Sequence, residues 1–210
     1  MTLRACFLAA LVGLAATLPA FAATASPGEI VKARTRSVLG TLVEQRAAFQ
    51  ADPAKLNAFV KAELEQVMDR EYSARLVLGR HGRAASQAQI DAFAAALTDN
   101  LLRRYGTAML DFDPDVDVRV KSETPLQNGK LVRVASEVLR KGGAPVPVDY
   151  LFRPDASGAW KMFDVIVEGV SYVQTYRTQF DEQLRSQTLD QVIAKAKHEI
   201  QERDRDLDHA

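Results

Sequence analysis

The chain has 210 residues, of which 47% are hydrophobic, and its 27 lysines and arginines balance its 27 aspartates and glutamates. This is the composition of an ordinary globular protein. A disordered protein would combine few apolar residues with a large net charge, and a protein that grips nucleic acid phosphates would carry a basic surplus. The composition argues against both classes.

The N-terminal segment predicts a secretory signal peptide. Arg4 precedes an apolar run from Ala5 to Leu18, which is followed by the helix breaker Pro19 and by small residues. Cleavage before Ala23 or before Ser26 fits the small-residue rule; we favour the first, which makes residues 1–22 the signal. An uncleaved membrane anchor is the less favoured alternative, because the run is shorter than the roughly 20 apolar residues that span a bilayer.

The single cysteine, Cys6, lies inside the predicted signal. The mature chain is therefore expected to have neither a disulfide nor a cysteine nucleophile, and its stability has to come from a packed core. The remaining length is typical of a single domain, which we place at residues 23–200.

Helices are predicted throughout the first half of the chain. The first helix begins at Ser26 and runs to about Phe49. Ser26 is its N-cap, a proline follows at the first helical position, and Glu29 completes a capping box. Asp52 caps a second helix through Val67, and a short helical turn then ends at Gly79. A longer helix runs from a capping box at Ser86 to about Leu110, with an apolar face of Ile90, Phe93, Leu97, Leu101, Tyr105 and Ala108.

From Asp115 onward, apolar residues recur at every second position. This pattern predicts β-strands with one apolar, buried face (the dry face) and one polar, solvent-exposed face. Asn128-Gly129 supplies the positive φ angles of a hairpin, and Gly142-Gly143 and residues 155–158 mark two further turns. Four strands of an antiparallel meander are expected. Their dry faces carry Val116, Val118 and Val120; Val132, Val134 and Val138; Val146, Val148, Tyr150 and Phe152; and Phe163, Val165 and Val167, with Met162 and Asp164 on the opposite face of the fourth strand.

Two helices follow, from Ser171 to about Ser186 and from Leu189 to about Ile200. Residues 201–210 alternate in charge and predict a solvated, frayed tail. The expected fold class is α+β: a four-stranded antiparallel meander covered by several amphipathic helices.

Nucleotide-binding and catalytic motifs are missing from the sequence. It contains no G-x-x-x-x-G-K-[ST], G-x-G-x-x-G, G-x-S-x-G or H-E-x-x-H, and its three histidines stand far apart. An acid pair of Asp164 and Glu168 is one interpretation, but a salt bridge or a cap for the next turn is the better one. We expect no enzymatic activity, no metal and no other cofactor.

A basic cluster of Arg75, Arg80, His81 and Arg83 surrounds the predicted helix end at Gly79. It suits an anionic head group or an acidic partner surface. It also suits the C-terminal end of a helix dipole, so both interpretations stay open.

Three segments carry a family resemblance: residues 72–81 (Tyr-Ser-Ala-Arg-Leu-Val-Leu-Gly-Arg-His), residues 146–150 (Val-Pro-Val-Asp-Tyr) and residues 160–180. The last is the most specific, since a strand, a Val-Glu-Gly-Val-Ser corner and a Tyr-Arg-Thr-Gln-Phe helix follow in that order. From about residue 28 to 200 the chain resembles the MlaC (toluene-tolerance) family of periplasmic phospholipid-binding proteins. Gly82 departs from the pattern, because relatives often carry an aromatic residue there.

The resemblance implies a periplasmic carrier that binds phospholipid by its acyl chains. It would shuttle this cargo between an outer-membrane MlaA-type lipoprotein complex and the inner-membrane Mla ABC transporter, and so maintain the lipid asymmetry of the outer membrane. Nucleic acid is not an expected partner. Two acyl chains hold about 30 methylenes, whose exposure to water costs on the order of 20 kcal/mol at about 0.8 kcal/mol each. A carrier therefore has to enclose the chains.

The expected apolar cavity lies between the meander and the helices. Because periodicity does not separate a hollow core from a filled one, packing in a solid core is the alternative for each lining residue. Arg75, Arg80 and Arg83 are predicted to contact the head group or a partner. A non-lipid envelope adaptor or a solute-binding protein is the alternative function. The predicted lipid-binding residues are Phe93, Leu97, Leu101, Tyr105, Val118, Val134, Val148, Tyr150, Phe163 and Val165.

Overall fold

The computed structural model describes residues 25–105, 110 and 116–208, and the side chains of residues 103–105 and 199–208 fall outside the description. The signal peptide predicted at residues 1–22 lies outside it as well. Within these residues the helices are α1 (Pro27–Glu44), α2 (Arg46–Ala51), α3 (Pro53–Val67), α4 (Arg70–Leu78), α5 (Gln87–Tyr105), α6 (Tyr172–Gln183) and α7 (Leu189–Asp208). A 3-10 turn at His81–Arg83 separates α4 from α5. The backbone of the predicted tail is helical as far as Asp208.

The predicted capping box opens α1: Glu29 N–H donates to Ser26 Oγ, and Ser26 N–H donates to the Glu29 carboxylate at 2.8 Å. The end of this helix is corrected. It stops at Glu44 and α2 resumes at Arg46, because Gln45 leaves helical geometry. Phe49 on α2 then stacks on Phe59 of α3, with ring centroids 5.5 Å apart.

The strands are β1 (Asp117–Leu126), β2 (Leu131–Leu139), β3 (Val146–Pro154), β4 (Trp160–Val167) and β5 (Val170–Ser171). They form one antiparallel sheet in the order β1-β2-β3-β4-β5. The predicted α+β class and meander are confirmed, but the strand count is five and not four. The additional strand has two residues, too few for alternation to reveal, and it pairs with β4 across a turn in which Glu168 and Gly169 have φ of 50° and 83°.

A β-bulge in β4 changes which side chains face the helices. Leu151 pairs with Asp164 and Phe152 pairs with Met162, so Phe163 has no partner on β3. Strict alternation places Met162 and Val165 on opposite faces. The extra residue shifts the phase by one, and both side chains point to the helix layer.

Buried side chains form three separate clusters instead of one core. A helical cluster joins α4, α5, α6 and α7 around Phe93 and Tyr176. An N-terminal cluster joins α1, α2, α3 and α5 around Phe49 and Leu56. A sheet cluster packs α1 on the sheet around Val134 and Phe152.

Hydrogen bonds attach the junction of α3 and α4 to β4. The Asp69 N–H donates to the Met162 carbonyl at 2.7 Å, and Ser73 Oγ donates to the Phe163 carbonyl at 2.8 Å. Asp69 also accepts from Arg153 Nη1 at 2.7 Å and caps α4 by accepting from the Tyr72 N–H. The junction of α3 and α4 is therefore fixed to the sheet.

Asp164 of β4 attaches α6 to the same strand. Its buried carboxylate accepts from Ser171 Oγ at 2.6 Å and from the Val173 N–H at 3.0 Å. The interpretation of Asp164 as a cap is confirmed, and Glu168 is exposed in the following turn.

Replacing Asp164 with alanine should lower the free energy of unfolding by about 1–3 kcal/mol, because the buried Val173 N–H loses its acceptor. Urea unfolding measures the change. Glu168→Ala, four residues away at an exposed position, is the matched control and should have little effect. Equal losses in the two variants would contradict the anchoring role of Asp164.

Asp181 on α6 ties that helix to the 3-10 turn. Its carboxylate contacts His81 Nε2 at 2.9 Å, Arg80 Nη2 at 3.0 Å and Arg185 Nη2 at 3.1 Å. The hydrogen bond with His81, followed by that with Arg185, lowers the pKa of Asp181 below its usual 3.8.

A carboxylate with a lowered pKa stabilises the folded state above its unfolded pKa, and this contribution disappears as the pH falls through the folded value. The stability difference between the wild-type protein and Asp181→Asn should therefore shrink as the pH is lowered below about 4. Urea unfolding at a series of pH values tests this, with Glu182→Gln as the neighbouring control. A difference that stays constant down to pH 2 would refute the lowered pKa.

Candidate functional site

Two apolar chambers lie where the three buried clusters do not meet. Chamber 1, of about 350 Å³, is bounded by α1, α3 and the inner face of the sheet. Chamber 2, of about 270 Å³, is bounded by α3, α4, α5, α6 and β4. Both volumes are near the lower end of the range of ligand pockets.

Chamber 1 is almost entirely hydrocarbon. Its charged lining residues, Arg34 and Glu63, form a salt bridge at 3.5 Å, and Arg34 also donates to Gln66 at 2.6 Å. Its apolar lining is Ile30, Val31, Val38, Leu39, Leu42, Val60, Leu64, Val67, Val116, Val118, Val138, Tyr150, Phe152 and Met162.

Tyr150 brings a hydroxyl into the wall of chamber 1. Burial raises the pKa of this phenol above its usual 10, and a hydrogen bond with Ser136 partly opposes the increase. The hydroxyl is therefore neutral at physiological pH, and Tyr150 adds no charge to the chamber.

Chamber 2 contains two buried polar side chains, Ser73 and Asp164, and both are already hydrogen-bonded to the protein. Neither needs a ligand to satisfy it. The apolar lining is Leu64, Met68, Val77, Leu97, Leu101, Leu102, Met162, Phe163, Val165, Val167, Tyr172, Val173 and Tyr176.

Leu64 and Met162 line both chambers and form the wall that they share. Leu64 projects from α3, and Met162 from β4. Methionine is unbranched and adapts to neighbours of different shape, so this wall can yield to a ligand that enters both chambers.

Six of the ten predicted lipid-binding residues line a chamber. Val118 and Tyr150 line chamber 1, and Leu97, Leu101, Phe163 and Val165 line chamber 2. The side chain of Tyr105 lies outside the described residues.

The remaining three predicted residues, Phe93, Val134 and Val148, line neither chamber. Phe93 packs edge-on against Phe180, with centroids 4.9 Å apart, inside the helical cluster. Val134 is fully buried in the sheet cluster, and Val148 is 7% exposed. Phe93 and Val134 lie on the apolar faces predicted for the cavity, but other members of their clusters fill the space next to them.

Sequence reasoning missed the contributions of α1 and α3. Helical spacing identifies residues that face the interior but does not separate those that fill a core from those that line a cavity. This applies to Val31, Leu42, Val60 and Leu64. The missing signal is the separation of the buried clusters, which depends on tertiary structure.

The predicted head-group or partner residues line neither chamber. Arg75 binds Glu71 at 2.9 Å and Gln87 at 2.7 Å, and Arg80 binds Asp181. Arg83 is exposed.

Gly82 is buried at the same corner, where an added Cβ would lie 3.0 Å from Leu78 Cβ. A side chain at this position would require Leu78 or the turn to move, so the departure from the family pattern matches the local packing.

In the described part of the chain, no group of three histidine, cysteine or acidic residues is placed to hold a metal ion. No helix described there is long and apolar enough to cross a membrane.

Known proteins resemble this chain in sequence and in fold. It is 27% identical to the toluene tolerance protein ttg2D of Pseudomonas putida over 188 residues, and the aligned region covers 86% of each chain. It is 22% identical over 175 residues to the intermembrane phospholipid transport system binding protein MlaC of Haemophilus influenzae, covering 82% of this chain and 81% of that one.

A solved structure has the same fold. The phospholipid-binding protein from Ralstonia solanacearum, in complex with a phospholipid, superposes with a TM-score of 0.74 at 21% identity, over 85% of this chain and 98% of that one. The family described as MlaC protein matches residues 32–198, which is most of the chain. The protein therefore belongs to the MlaC family.

Proposed function

We propose that this protein binds phospholipid, with acyl chains in chambers 1 and 2, and carries it through the periplasm. The observation that carries the proposal is the pair of adjoining apolar chambers between separately packed clusters. The names of the Haemophilus and Ralstonia relatives, which refer to phospholipid, support the same ligand.

The chemistry of the chamber walls favours hydrocarbon over a polar solute. The buried polar groups of chamber 2 already have partners, and the charged pair of chamber 1 neutralises itself. A sugar or amino acid would leave its own hydrogen-bonding groups unpaired there, at about 1–3 kcal/mol for each group. An acyl chain gains about 0.8 kcal/mol for each methylene that it buries.

In this proposal the protein is a carrier and not an enzyme. It receives lipid from one membrane complex and delivers it to another: an outer-membrane MlaA-type lipoprotein complex and the inner-membrane Mla ABC transporter. The signal peptide expected at residues 1–22 would deliver it to the periplasm. Since the sequence has no nucleotide-binding motif, any ATP-driven direction of transport has to come from the transporter. Contact of Arg80 and Arg83 with a partner stays a prediction.

Protein purified from its native periplasm without detergent should contain near-stoichiometric phospholipid. Organic extraction followed by lipid mass spectrometry measures the amount. Lipid-free protein that also takes up none from vesicles would overturn the proposal in favour of a non-lipid adaptor, and a bound polar solute would favour a solute-binding protein.

Leu64→Trp should reduce phospholipid binding about tenfold, because the larger ring fills the shared wall and obstructs both chambers. Phospholipid retained after incubation with vesicles measures the effect, and urea unfolding checks that the variant is folded. Val170→Trp is the matched control, since Val170 is 58% exposed and lines neither chamber. Full lipid occupancy in folded Leu64→Trp would show that the chains lie elsewhere.

A further inference from the structure

A polar groove of about 620 Å³ runs beside chamber 1, between α1 and the outer strand β1. The two spaces share four lining residues: Thr35, Leu39, Val116 and Val118. One continuous surface therefore passes from hydrocarbon to charged side chains, which is the polarity of a lipid with an ionic head group.

We propose that this groove holds the phosphate of the bound lipid and gives the protein a preference for anionic phospholipids. This inference rests on the proposed function. Lys32 and Arg36 lie one helical turn apart on α1, and Arg119 of β1 lines the same groove. Arginine and lysine are the side chains that bind phosphate most strongly.

These three cations differ from others on the same elements. Arg34 pairs with Glu63, and Lys121 pairs with Glu137. No hydrogen bond or ion pair joins Lys32, Arg36 or Arg119 to a side chain in the described part of the protein. Their charge is available to a ligand.

Two carboxylates also line the groove. Asp117 accepts from the Val118 N–H at 2.8 Å, so part of its charge is used locally. Glu44 follows Arg36 by eight residues, about 12 Å along the helix axis. The described lining has three cations and two carboxylates, an excess of one positive charge, and on α1 the two cations lie toward the N-terminal end, away from Glu44.

The predicted site at Arg75, Arg80 and Arg83 is the weaker candidate for the phosphate. Arg75 and Arg80 already bind acidic side chains, and none of the three lines a chamber. A head group there would not be joined to a chain in either chamber by a continuous surface.

The test uses lipid-free full-length mature protein and vesicles of equimolar phosphatidylglycerol and phosphatidylcholine with identical acyl chains. After equilibration the protein is separated from the vesicles, and its bound lipids are quantified by mass spectrometry. Both lipids carry one phosphate, but the cations of the groove repel the choline ammonium of phosphatidylcholine. The wild-type protein should therefore hold phosphatidylglycerol in about fivefold excess, the ratio that one charge–charge interaction in water gives. The triple variant Lys32→Gln, Arg36→Gln, Arg119→Gln should hold the same total lipid without this excess.

The matched control removes three exposed cations elsewhere: Lys130→Gln, Arg177→Gln and Lys197→Gln. It has the same net charge as the groove variant and should keep the wild-type preference. Loss of the preference in both variants would mean that overall charge, and not the groove, selects the lipid, and would overturn the inference. So would equal amounts of the two lipids on the wild-type protein.

Failure of the proposed function gives a different result, since the wild-type protein would then bind neither lipid. Calorimetric titration with inorganic phosphate distinguishes a lipid head group from a free anion. Phosphate binding that the groove variant abolishes, without any lipid preference in the wild-type protein, would assign the groove to free phosphate and overturn its role in lipid selection.

Discussion

The architecture depends on the hydrogen bonds that attach α4 and α6 to β4. Apolar surfaces in water tend to close on one another, and the walls of an unfilled space lose the contacts that a neighbour would provide. Directional bonds from Asp69 and Ser73 to β4, and from α6 to Asp164 of β4, fix where the helices sit. These polar contacts hold α4 and α6 on the sheet, while chamber 2 stays open between the helices and β4.

This attachment explains why the buried residues form three clusters. α4 and α6 are fixed to β4 and pack with α5 and α7, whereas α1 reaches the sheet at the far strand, where Ser26 Oγ donates to Glu123 at 2.7 Å. α3 lies between these two attachments. Its Leu64 and Met162 of β4 line both chambers, which open on either side of these two residues. An acyl chain in either chamber would supply the packing contacts that the protein itself does not make.

Much of the fold could be predicted from the sequence, because capping residues and hydrophobic period act locally. Ser26 with Glu29 marked the start of α1, and the change of period near Asp115 marked the sheet. The bend at Gln45, the two-residue strand β5 and the bulge at Phe163 leave no local signal. Val118 and Tyr150 line chamber 1, whereas Val134, on the same dry face, belongs to a packed cluster. Whether such a residue lines the cavity or fills the core depends on its neighbours from other elements, which the local sequence does not show.

The segments that carry the family resemblance coincide with the attachment of the helices to the sheet. Ser73 lies in the first segment, and Asp164 and Ser171 lie in the third; all three make the hydrogen bonds that place α4 and α6 on β4. These motifs therefore specify a scaffold that keeps a cavity open. Lys32, Arg36 and Arg119 lie outside every one of these segments. The choice of head group is thus physically separable from the device that encloses the chains, since side chains along α1 and the outer edge of β1 can change without disturbing the bonds to β4.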